Sequence, residues 1–259
     1  MSKPVAIVTG VGGDIGKAIA AKIIADGYLV VGADIDLKAA QVACNELDPA
    51  GKLALPVICD VTDETSTQKM TEFARKAGDI HLLVNNAGAV TAASLHSMSV
   101  PDWKQDTDLN LNGAFVCFQA VAQDLKANKG CVVNIASVNG LGVYGHPAYS
   151  SAKAGLIHFT KMIAVEYGKF GVRANAVAPG TVRTQAWEER AKIDPEILDH
   201  AKRWCPLQRI AQTTDIANVV AFLASPLANA ITGVCLPVDC GLTAGQTELA
   251  ATFCQSTDY

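Results

Sequence analysis

A tyrosine and a lysine four residues apart are the first candidates for chemistry in this sequence. Tyr149 and Lys153 lie in "YSSAK", and residues at i and i+4 share one face of a helix. A free tyrosine titrates near ~10, and an adjacent ammonium favours the tyrosinate, so we expect a phenol that exchanges protons near neutral pH. Ser137, upstream, could hydrogen-bond a substrate oxygen. These residues predict acid–base chemistry on an alcohol or carbonyl oxygen, although alone they would also suit an ordinary helix pair and a turn serine.

A glycine-rich turn, "TGVGGDIG", occupies Thr9–Gly16. Backbone N–H groups at a helix N-terminus bind phosphate, and Gly10 and Gly16 suit a tight turn with close helix-to-sheet contact. The GxGxxG fingerprint does not fit, since Ile15 stands where its last glycine would be. Asp14 begins the following helix, where acidic residues cap free N–H groups. We therefore expect its carboxylate to cap that helix and to turn away from phosphates; the alternative is charge repulsion that weakens binding.

Short apolar runs alternate with amphipathic segments and must position these residues. The strand candidates are "PVAIVT", "YLVVGAD", "LALPVICD", "IHLLVN", "GCVVNIAS", "VRANAVAP" and "GVCLPVD", and helical periodicity covers Asp14–Ala25, Glu64–Lys76, Trp103–Lys126, Tyr149–Tyr167 and Thr214–Ala224. This pattern predicts one α/β domain over residues 1–259, a doubly wound (Rossmann) seven-stranded parallel sheet with helices on both faces. Ligands bind at the carboxyl ends of such strands, where the glycine-rich turn, Asp34, Asp60, "NNAG", Ser137 and "PGTVRT" all fall.

Taken in order, these motifs resemble the short-chain dehydrogenase/reductase family over essentially the whole chain. The matching pieces are "TGVGGDIG", "CDV", "NNAG", "NLNG", a serine upstream of "YSSAK", and "PGTVRT". The resemblance implies hydride transfer between a CH–OH group and a nicotinamide cofactor, with Ser137, Tyr149, Lys153 and Asn110 as the catalytic residues. It also implies that Lys153 holds the nicotinamide ribose. Asn110, rather than Asn112, would position a water that relays protons to Lys153.

The expected cofactor is NAD. Asp34 ends the second strand, where a carboxylate accepts hydrogen bonds from ribose hydroxyls and repels a 2′-phosphate. By resemblance Gly13 and Ile35 border this pocket, and neither brings a cation. The resemblance also places Asp60 at the adenine and Asn86 at the adenosine ribose. By resemblance Val182 and Thr184 lie near the nicotinamide carboxamide. The full cofactor-binding set that the resemblance implies is Gly10, Gly12, Gly13, Asp14, Ile15, Gly16, Asp34, Ile35, Asp60, Val61, Asn86, Ala87, Gly88, Tyr149, Lys153, Pro179, Gly180, Val182 and Thr184.

The substrate is predicted mainly from a segment at about 183–212, which the resemblance makes a lid over the site. The candidate substrate contacts are Ser137, Asn139, His146, Tyr149, Arg183, Gln185 and Trp187. A polar wall suits a sugar or polyol better than a steroid, and a cation at Arg183 would suit an acidic sugar. We expect oxidation of a hydroxyl of a sugar or polyol. One such reaction is oxidation of an aldose at C1 to a lactone, and the aldose could be an acidic or sulfonated sugar. The alternatives are a carbonyl reductase acting on a small ketone and a regulatory protein that binds NAD without turnover.

Composition excludes several other classes. With a net charge of −4 and no basic block, the chain does not suit nucleic acid, and no apolar run reaches the ~18 residues of a membrane span. The N-terminus enters a strand-like run without room for a signal peptide, so we expect a cytoplasmic protein. The eight cysteines form no CxxC pair and the histidines no HxxH spacing, so no metal site is expected.

By resemblance two helices pack against partner subunits, giving a homotetramer or dimer, while the tail at 245–259 either reaches a neighbour or frays.

Overall fold

A parallel sheet forms the centre of the computed structural model, which describes residues 3–256 and 258. Within those residues it has seven strands in the order β3-β2-β1-β4-β5-β6-β9. Their bounds are β1 Val5–Thr9, β2 Leu29–Asp34, β3 Ala54–Ile58, β4 Ile80–Asn85, β5 Cys131–Ile135, β6 Arg173–Pro179 and β9 Cys235–Val238. Each adjacent pair is parallel. The doubly wound seven-stranded prediction is confirmed, and all seven strand candidates contain a strand of this sheet.

Helices cover both faces of the sheet. Their bounds are α1 Asp14–Ala25, α2 Leu37–Leu47, α3 Glu64–Ala77, α4 Val100–Thr107, α5 Gly113–Asn128, α6 Pro147–Tyr167, α7 Gln185–Ile193, α8 Ile197–Lys202, α9 Thr213–Ala224 and α10 Thr247–Cys254. Along β1 the side chains alternate, with Ala6 and Val8 packing toward α1 and α9, and Val5 and Ile7 toward α3 and α5. The apolar runs are thus explained, because both faces of each central strand are buried. No helix in the described residues is long and apolar enough to cross a membrane.

Four elements were not predicted: α2, the strands β7 and β8, and α10. The α2 helix follows Asp36, whose carboxylate accepts hydrogen bonds from the N–H groups of Lys38 and Ala39, a capping signal readable in the sequence. A two-residue strand β7, Val182–Arg183, pairs in parallel with β8, Ala211–Gln212, outside the main sheet. The fourth is α10 in the tail. The β7–β8 pair brings together the two ends of the predicted lid.

Candidate active site

Ser137, Tyr149 and Lys153 come together where β5 ends against the first half of α6. Ser137 starts a single 3-10 turn after β5, and its Oγ accepts the N–H of Asn139 at 3.1 Å. Lys153 is only 3% exposed, and its Nζ donates to the carbonyl oxygen of Ile135 at 2.8 Å. The same Nζ lies 5.5 Å from the centroid of the Tyr149 ring. The strand-end serine and the helical pair therefore form one cluster.

Burial changes the proton affinities in this cluster. Burial raises the pKa of Tyr149, and the hydrogen bond with the Ser137 hydroxyl offsets only part of that rise. Burial also lowers the pKa of Lys153 to about 8, which reduces the ammonium character on which the expectation depended. The protein residues alone therefore favour a neutral phenol, the form that donates a proton, and the near-neutral pKa expected for Tyr149 with a positive nicotinamide beside it stays a prediction.

Asn110 lies in a distortion of the helix that faces Lys153. The α4 and α5 helices are joined by a π-helical turn at Asp108–Asn112, a feature frequent at functional sites. The Asn110 Nδ2 donates to the carbonyl oxygens of Ala89 and Asp106, at 2.7 and 2.9 Å. Within the described residues its Oδ1, like that of Asn85, is buried without a hydrogen-bond partner.

A small cavity of about 10 Å³ is lined by these two asparagines and by Lys153. This volume is about that required by one water molecule, and a water needs several polar partners. The two free carbonyl oxygens and the Lys153 ammonium can supply them. The cavity therefore suits the water that the resemblance implies between Asn110 and Lys153.

A groove of about 510 Å³ runs along the carboxyl ends of the strands. The predicted residues that line it are Gly10, Gly13, Asp14, Ile15, Gly16, Asp34, Ile35, Asp60, Val61, Asn86, Ala87, Gly88 and Thr184, and Cys59, Ala89, Leu109 and Ala186 join them without having been predicted. Each of these last four residues is a neighbour, in sequence or in space, of a predicted residue. The other predicted cofactor residues do not line it: Gly12, Tyr149, Lys153, Pro179, Gly180 and Val182. Val182, for example, is buried in β7.

The groove has the shape and donors of a dinucleotide site. A Cβ at Gly16 would lie 2.2 Å from the carbonyl oxygen of Gly10, and Gly10 has a φ of 66°, so both positions require glycine. Among the described residues no side chain caps α1, so the N–H groups of its first turn remain free for a phosphate. A Cβ at Gly88 would lie 2.7 Å from Asn110 Oδ1 and 3.5 Å from Lys153 Nζ, so this backbone adjoins the catalytic cluster. These residues fit a nicotinamide dinucleotide.

Asp34 supplies the charge at the ribose end expected from the sequence. Its Oδ2 accepts the N–H of Gly12 at 3.0 Å and its Oδ1 accepts the N–H of Asp36 at 3.1 Å, which fixes the carboxylate in the groove. Lone pairs remain on both oxygens for hydroxyl donors. The nearby Lys17 is paired with Glu46 at 2.9 Å. The groove therefore carries a fixed negative charge close to the glycine-rich turn.

Asn86 lines the groove but directs its amide toward the backbone of the glycine-rich turn. Its Nδ2 donates to the carbonyl oxygens of Thr9 and Gly10, at 2.9 and 3.1 Å. Its backbone N–H donates to the Thr9 hydroxyl at 3.0 Å. The side chain thus holds the turn against β4.

The prediction that Asp14 caps α1 is wrong. Gly13 occupies the capping position, and Asp14 is the first residue of the helix, so its side chain is set back from the free N–H groups. Its Oδ2 instead accepts the backbone N–H of Gln185, the first residue of α7, at 2.6 Å. The carboxylate therefore binds the predicted lid instead of its own helix, and its expected turn away from the phosphates stays a prediction.

Two of the predicted substrate residues lie beside Tyr149. Asn139 donates from Nδ2 to the carbonyl oxygen of Gly145 at 3.0 Å and to the Ser150 hydroxyl at 3.1 Å, which ties the loop after β5 to α6. The His146 ring lies 6.5 Å from the Tyr149 ring, centroid to centroid, and its Nδ1 is 3.2 Å from the carbonyl oxygen of Ala92. Polar side chains therefore border the phenol.

Arg183 and Trp187 are engaged elsewhere. The Arg183 Nε lies 2.5 Å from Glu188 Oε1, and Arg183 lines a second groove together with Lys17 rather than the cofactor groove. The ring of Trp187 stacks with the Arg190 guanidinium at 5.0 Å. The structure thus neutralises the cation on which an acidic substrate would depend.

Comparison with known proteins places this architecture in a family. Residues 10–243 match the family model described as enoyl-(acyl carrier protein) reductase. Over 100% of both chains the structure matches a crystal structure of an oxidoreductase of the short-chain dehydrogenase/reductase family from Burkholderia thailandensis, with a TM-score of 0.92 and 38% identity. The chain belongs to the short-chain dehydrogenase/reductase family. Members bind a nicotinamide cofactor, and this member is an oxidoreductase that acts on CH–OH groups.

Named relatives in this short-chain dehydrogenase/reductase family differ in substrate. The meso-2,3-butanediol dehydrogenase of Serratia marcescens is 37% identical, over 94% of this chain and 96% of the relative. The 3-oxoacyl-[acyl-carrier-protein] reductase of Synechocystis sp. is 36% identical, over 93% of this chain and 98% of the relative. An actinorhodin polyketide ketoreductase crystallised with NADPH has a TM-score of 0.87 and 30% identity, covering 93% of this chain and 99% of that chain. The family therefore leaves the substrate and the choice between NAD and NADP to this chain's own residues.

Proposed function

We propose that this enzyme is an NAD-dependent dehydrogenase that oxidises a hydroxyl of a small neutral polyol or sugar. The observation that carries the proposal is one continuous wall of residues. The Asp34 carboxylate lines the same groove as Gly88, and Gly88 adjoins Lys153 and Asn110 of the catalytic cluster. A cofactor whose ribose binds Asp34 would therefore extend toward Tyr149.

The proton leaves the substrate through Tyr149. The Ser137 hydroxyl holds the substrate oxygen, and the Tyr149 oxygen accepts its proton. The bound nicotinamide supplies the hydride acceptor, and its positive charge favours the tyrosinate. Lys153, held by the Ile135 carbonyl oxygen, passes the proton on to a water in the cavity next to Asn110. Ser137, Lys153 and Asn110 are each buried and hydrogen-bonded, which keeps them in place.

The preference for NAD rests on Asp34. A 2′-phosphate would bring two negative charges beside a carboxylate that Gly12 and Asp36 hold in place. Lys17 does not offset this repulsion, because it is paired with Glu46. The expected result is a higher kcat/KM with NAD than with NADP.

The proposed substrate class follows from the polar wall beside Tyr149. Asn139 Oδ1, which accepts from the Ser137 hydroxyl at 3.2 Å, keeps a second lone pair for a substrate hydroxyl, and the His146 ring is a further polar group there. The named butanediol dehydrogenase relative is consistent with a vicinal diol. The acidic or sulfonated sugar loses its support, because Arg183 is paired with Glu188. Oxidation at C1 of a neutral aldose to a lactone remains within the proposal.

A substrate panel tests the proposal. Purified enzyme is given NAD with neutral polyols, neutral aldoses, acidic sugars or apolar secondary alcohols, and the formation of NADH is followed by absorbance. We expect the highest kcat/KM among the neutral polyols and aldoses. Turnover of apolar alcohols alone would refute the substrate class, and NAD binding without any turnover would favour a regulatory protein.

Carbonyl reduction is the second candidate function. The raised pKa of Tyr149 favours the neutral phenol, which is the proton donor that a reductase needs, and a 3-oxoacyl reductase is among the named relatives. The same panel run with NADH and small ketones decides between the directions. A kcat/KM for ketones that exceeds that for all alcohols would establish this function instead.

Assembly into a homo-oligomer is also part of the proposal. The α5 and α6 helices leave Phe115 47% exposed and Val165 81% exposed, and α10 leaves Phe253 80% exposed. Apolar side chains at this density on a surface are typical of subunit contacts. Sedimentation velocity at micromolar concentration should give a dimer or tetramer, and a monomer would contradict the expectation.

A further inference from the structure

One hydrogen bond joins the glycine-rich turn to the lid segment, which we define as residues 183–212. Asp14 Oδ2 accepts the backbone N–H of Gln185 across 171 positions of sequence, at 2.6 Å. Gln185 is the first residue of α7, and Thr184 before it makes no capping bond among the described residues. Asp14 therefore satisfies a free N–H of a helix that lacks its own cap.

The α7 and α8 helices of the lid segment have few other attachments, whereas the part that follows them is anchored by the buried Cys205 and by the N–H of Leu207, which donates to the carbonyl oxygen of Cys240 at 3.2 Å. The β7–β8 pair holds its two ends together, but neither α7 nor α8 contains a buried residue in the part of the chain that the structure describes. Over the same described residues, the hydrogen bond from Gln185 is the only one between residues 185–204 and residues outside the lid segment. The ion pairs of α7 and α8, such as Lys192 with Glu189, stay within the segment. A single bond thus makes a large contribution to holding α7 in place.

The bond lies at the proposed cofactor site. Asp14, Thr184 and Ala186 line the same groove, with Asp14 on the side of α1 and the other two on the side of the lid segment. The bond therefore connects two walls of the groove. A cofactor can enter or leave past these walls more easily when they separate.

We propose that Asp14 is a positioning residue that holds the lid segment over the cofactor groove and thereby slows cofactor exchange. The inference rests on the proposed function, because the groove must bind a nicotinamide cofactor. It also assigns a purpose to a carboxylate beside a phosphate site. There the charge alone would weaken binding by repulsion.

Hydrogen exchange of the cofactor-free protein tests the tether without relying on activity. Asp14→Gly removes the acceptor, whereas Asp14→Asn keeps an oxygen that can accept from Gln185 and removes the charge. We expect Asp14→Gly to speed amide exchange over residues 185–193 about tenfold, the factor that corresponds to about 1.4 kcal/mol. Asp14→Asn should stay within about threefold of the wild type. Unchanged exchange in Asp14→Gly would overturn the tether.

Stopped-flow measurement of NADH release tests the consequence. Release should be about tenfold faster in Asp14→Gly and close to wild type in Asp14→Asn. Glu72→Gln is the control, since Glu72 is an exposed carboxylate on α3 that lines neither wall of the cofactor groove. If both Asp14 variants bound NADH more tightly and released it more slowly, charge repulsion would be the role of Asp14 and the proposal would be wrong.

The two measurements separate this inference from the proposed function. Faster lid exchange in Asp14→Gly, together with a wild-type protein that binds no NADH, would refute the proposed function and the effect on cofactor exchange while leaving the tether. A wild-type enzyme that turns over polyols with NAD, but whose lid exchange and NADH release do not respond to Asp14→Gly, would refute this inference alone.

Discussion

Replacing Lys153 with methionine should stabilise the protein near neutral pH even though it removes a residue to which we assign a catalytic role. Lys153 is 3% exposed, and burial lowers its pKa from the ordinary value of 10.5 to about 8. The folded state therefore disfavours the ammonium, and this penalty is fully present below pH 8. A shift of about 2.5 pKa units corresponds to about 3 kcal/mol. Methionine fills a similar volume without a charge.

The pH dependence separates this penalty from other effects of the substitution. Because the folded pKa lies below the unfolded one, the penalty declines as the pH rises from 8 to 10.5. It should fall from about 3 kcal/mol at pH 7 to about 1 kcal/mol at pH 10. The carbonyl oxygen of Ile135 loses its donor in the variant, at a cost of about 1 to 2 kcal/mol that is the same at both pH values. The net gain at pH 7 should thus be about 1 to 2 kcal/mol.

Urea unfolding at pH 7 and pH 10, at one protein concentration, measures the effect. The quantity to compare is the difference in free energy of unfolding between Lys153→Met and the wild type. Lys161→Met, at an exposed position on the same helix, is the control and should show a difference close to zero at both pH values. A Lys153→Met difference that does not change between pH 7 and pH 10 would show that burial imposes no penalty on the ammonium.

Three further substitutions give separable outcomes. Asp34→Ser should lower the ratio of kcat/KM for NAD to that for NADP by at least about tenfold, and an unchanged ratio in steady-state kinetics would exclude Asp34 as the discriminating group. Asn110→Ala should lower kcat about tenfold or more at saturating cofactor, since Oδ1 lines the small cavity beside Lys153; an unaltered kcat would show that the cavity plays no part. Lys129 ends α5 with a φ of 51°, so Lys129→Gly should raise the free energy of unfolding by about 1 kcal/mol, and a loss in urea titration would contradict the strain argument.

The strand ends were predictable because a parallel sheet imposes its own geometry. Once the apolar runs are assigned as strands, Asp34 and Ser137 must lie at the same edge, whatever the details of packing. The helical spacing of Tyr149 and Lys153 fixes their shared face in the same way. The architecture and the composition of the groove could therefore be predicted from the strand runs and from the four-residue spacing along the helix.

Tertiary partners were not predictable by such patterns. Nothing in the sequence around Asp14 indicates that its carboxylate meets an N–H 171 residues away, and capping by Asp14 was the expectation that local propensity favoured. The pKa of Tyr149 likewise depends on burial, which is a property of the assembled core. The pairing of Arg183 with Glu188 is a tertiary detail that the sequence could have indicated, because opposite charges five residues apart at the start of a helix can be recognised.

The most direct test of the central claim is the turnover of Tyr149→Phe. Removing the phenolic oxygen should lower kcat by at least about 100-fold, because it removes the group proposed to exchange the substrate proton. The fluorescence-measured affinity for NADH should remain near that of the wild type. Tyr144→Phe is the control, since Tyr144 is 41% exposed and should keep its kcat. A Tyr149→Phe variant that turned over within a few-fold of the wild type would contradict the claim that this tyrosine performs the acid–base step.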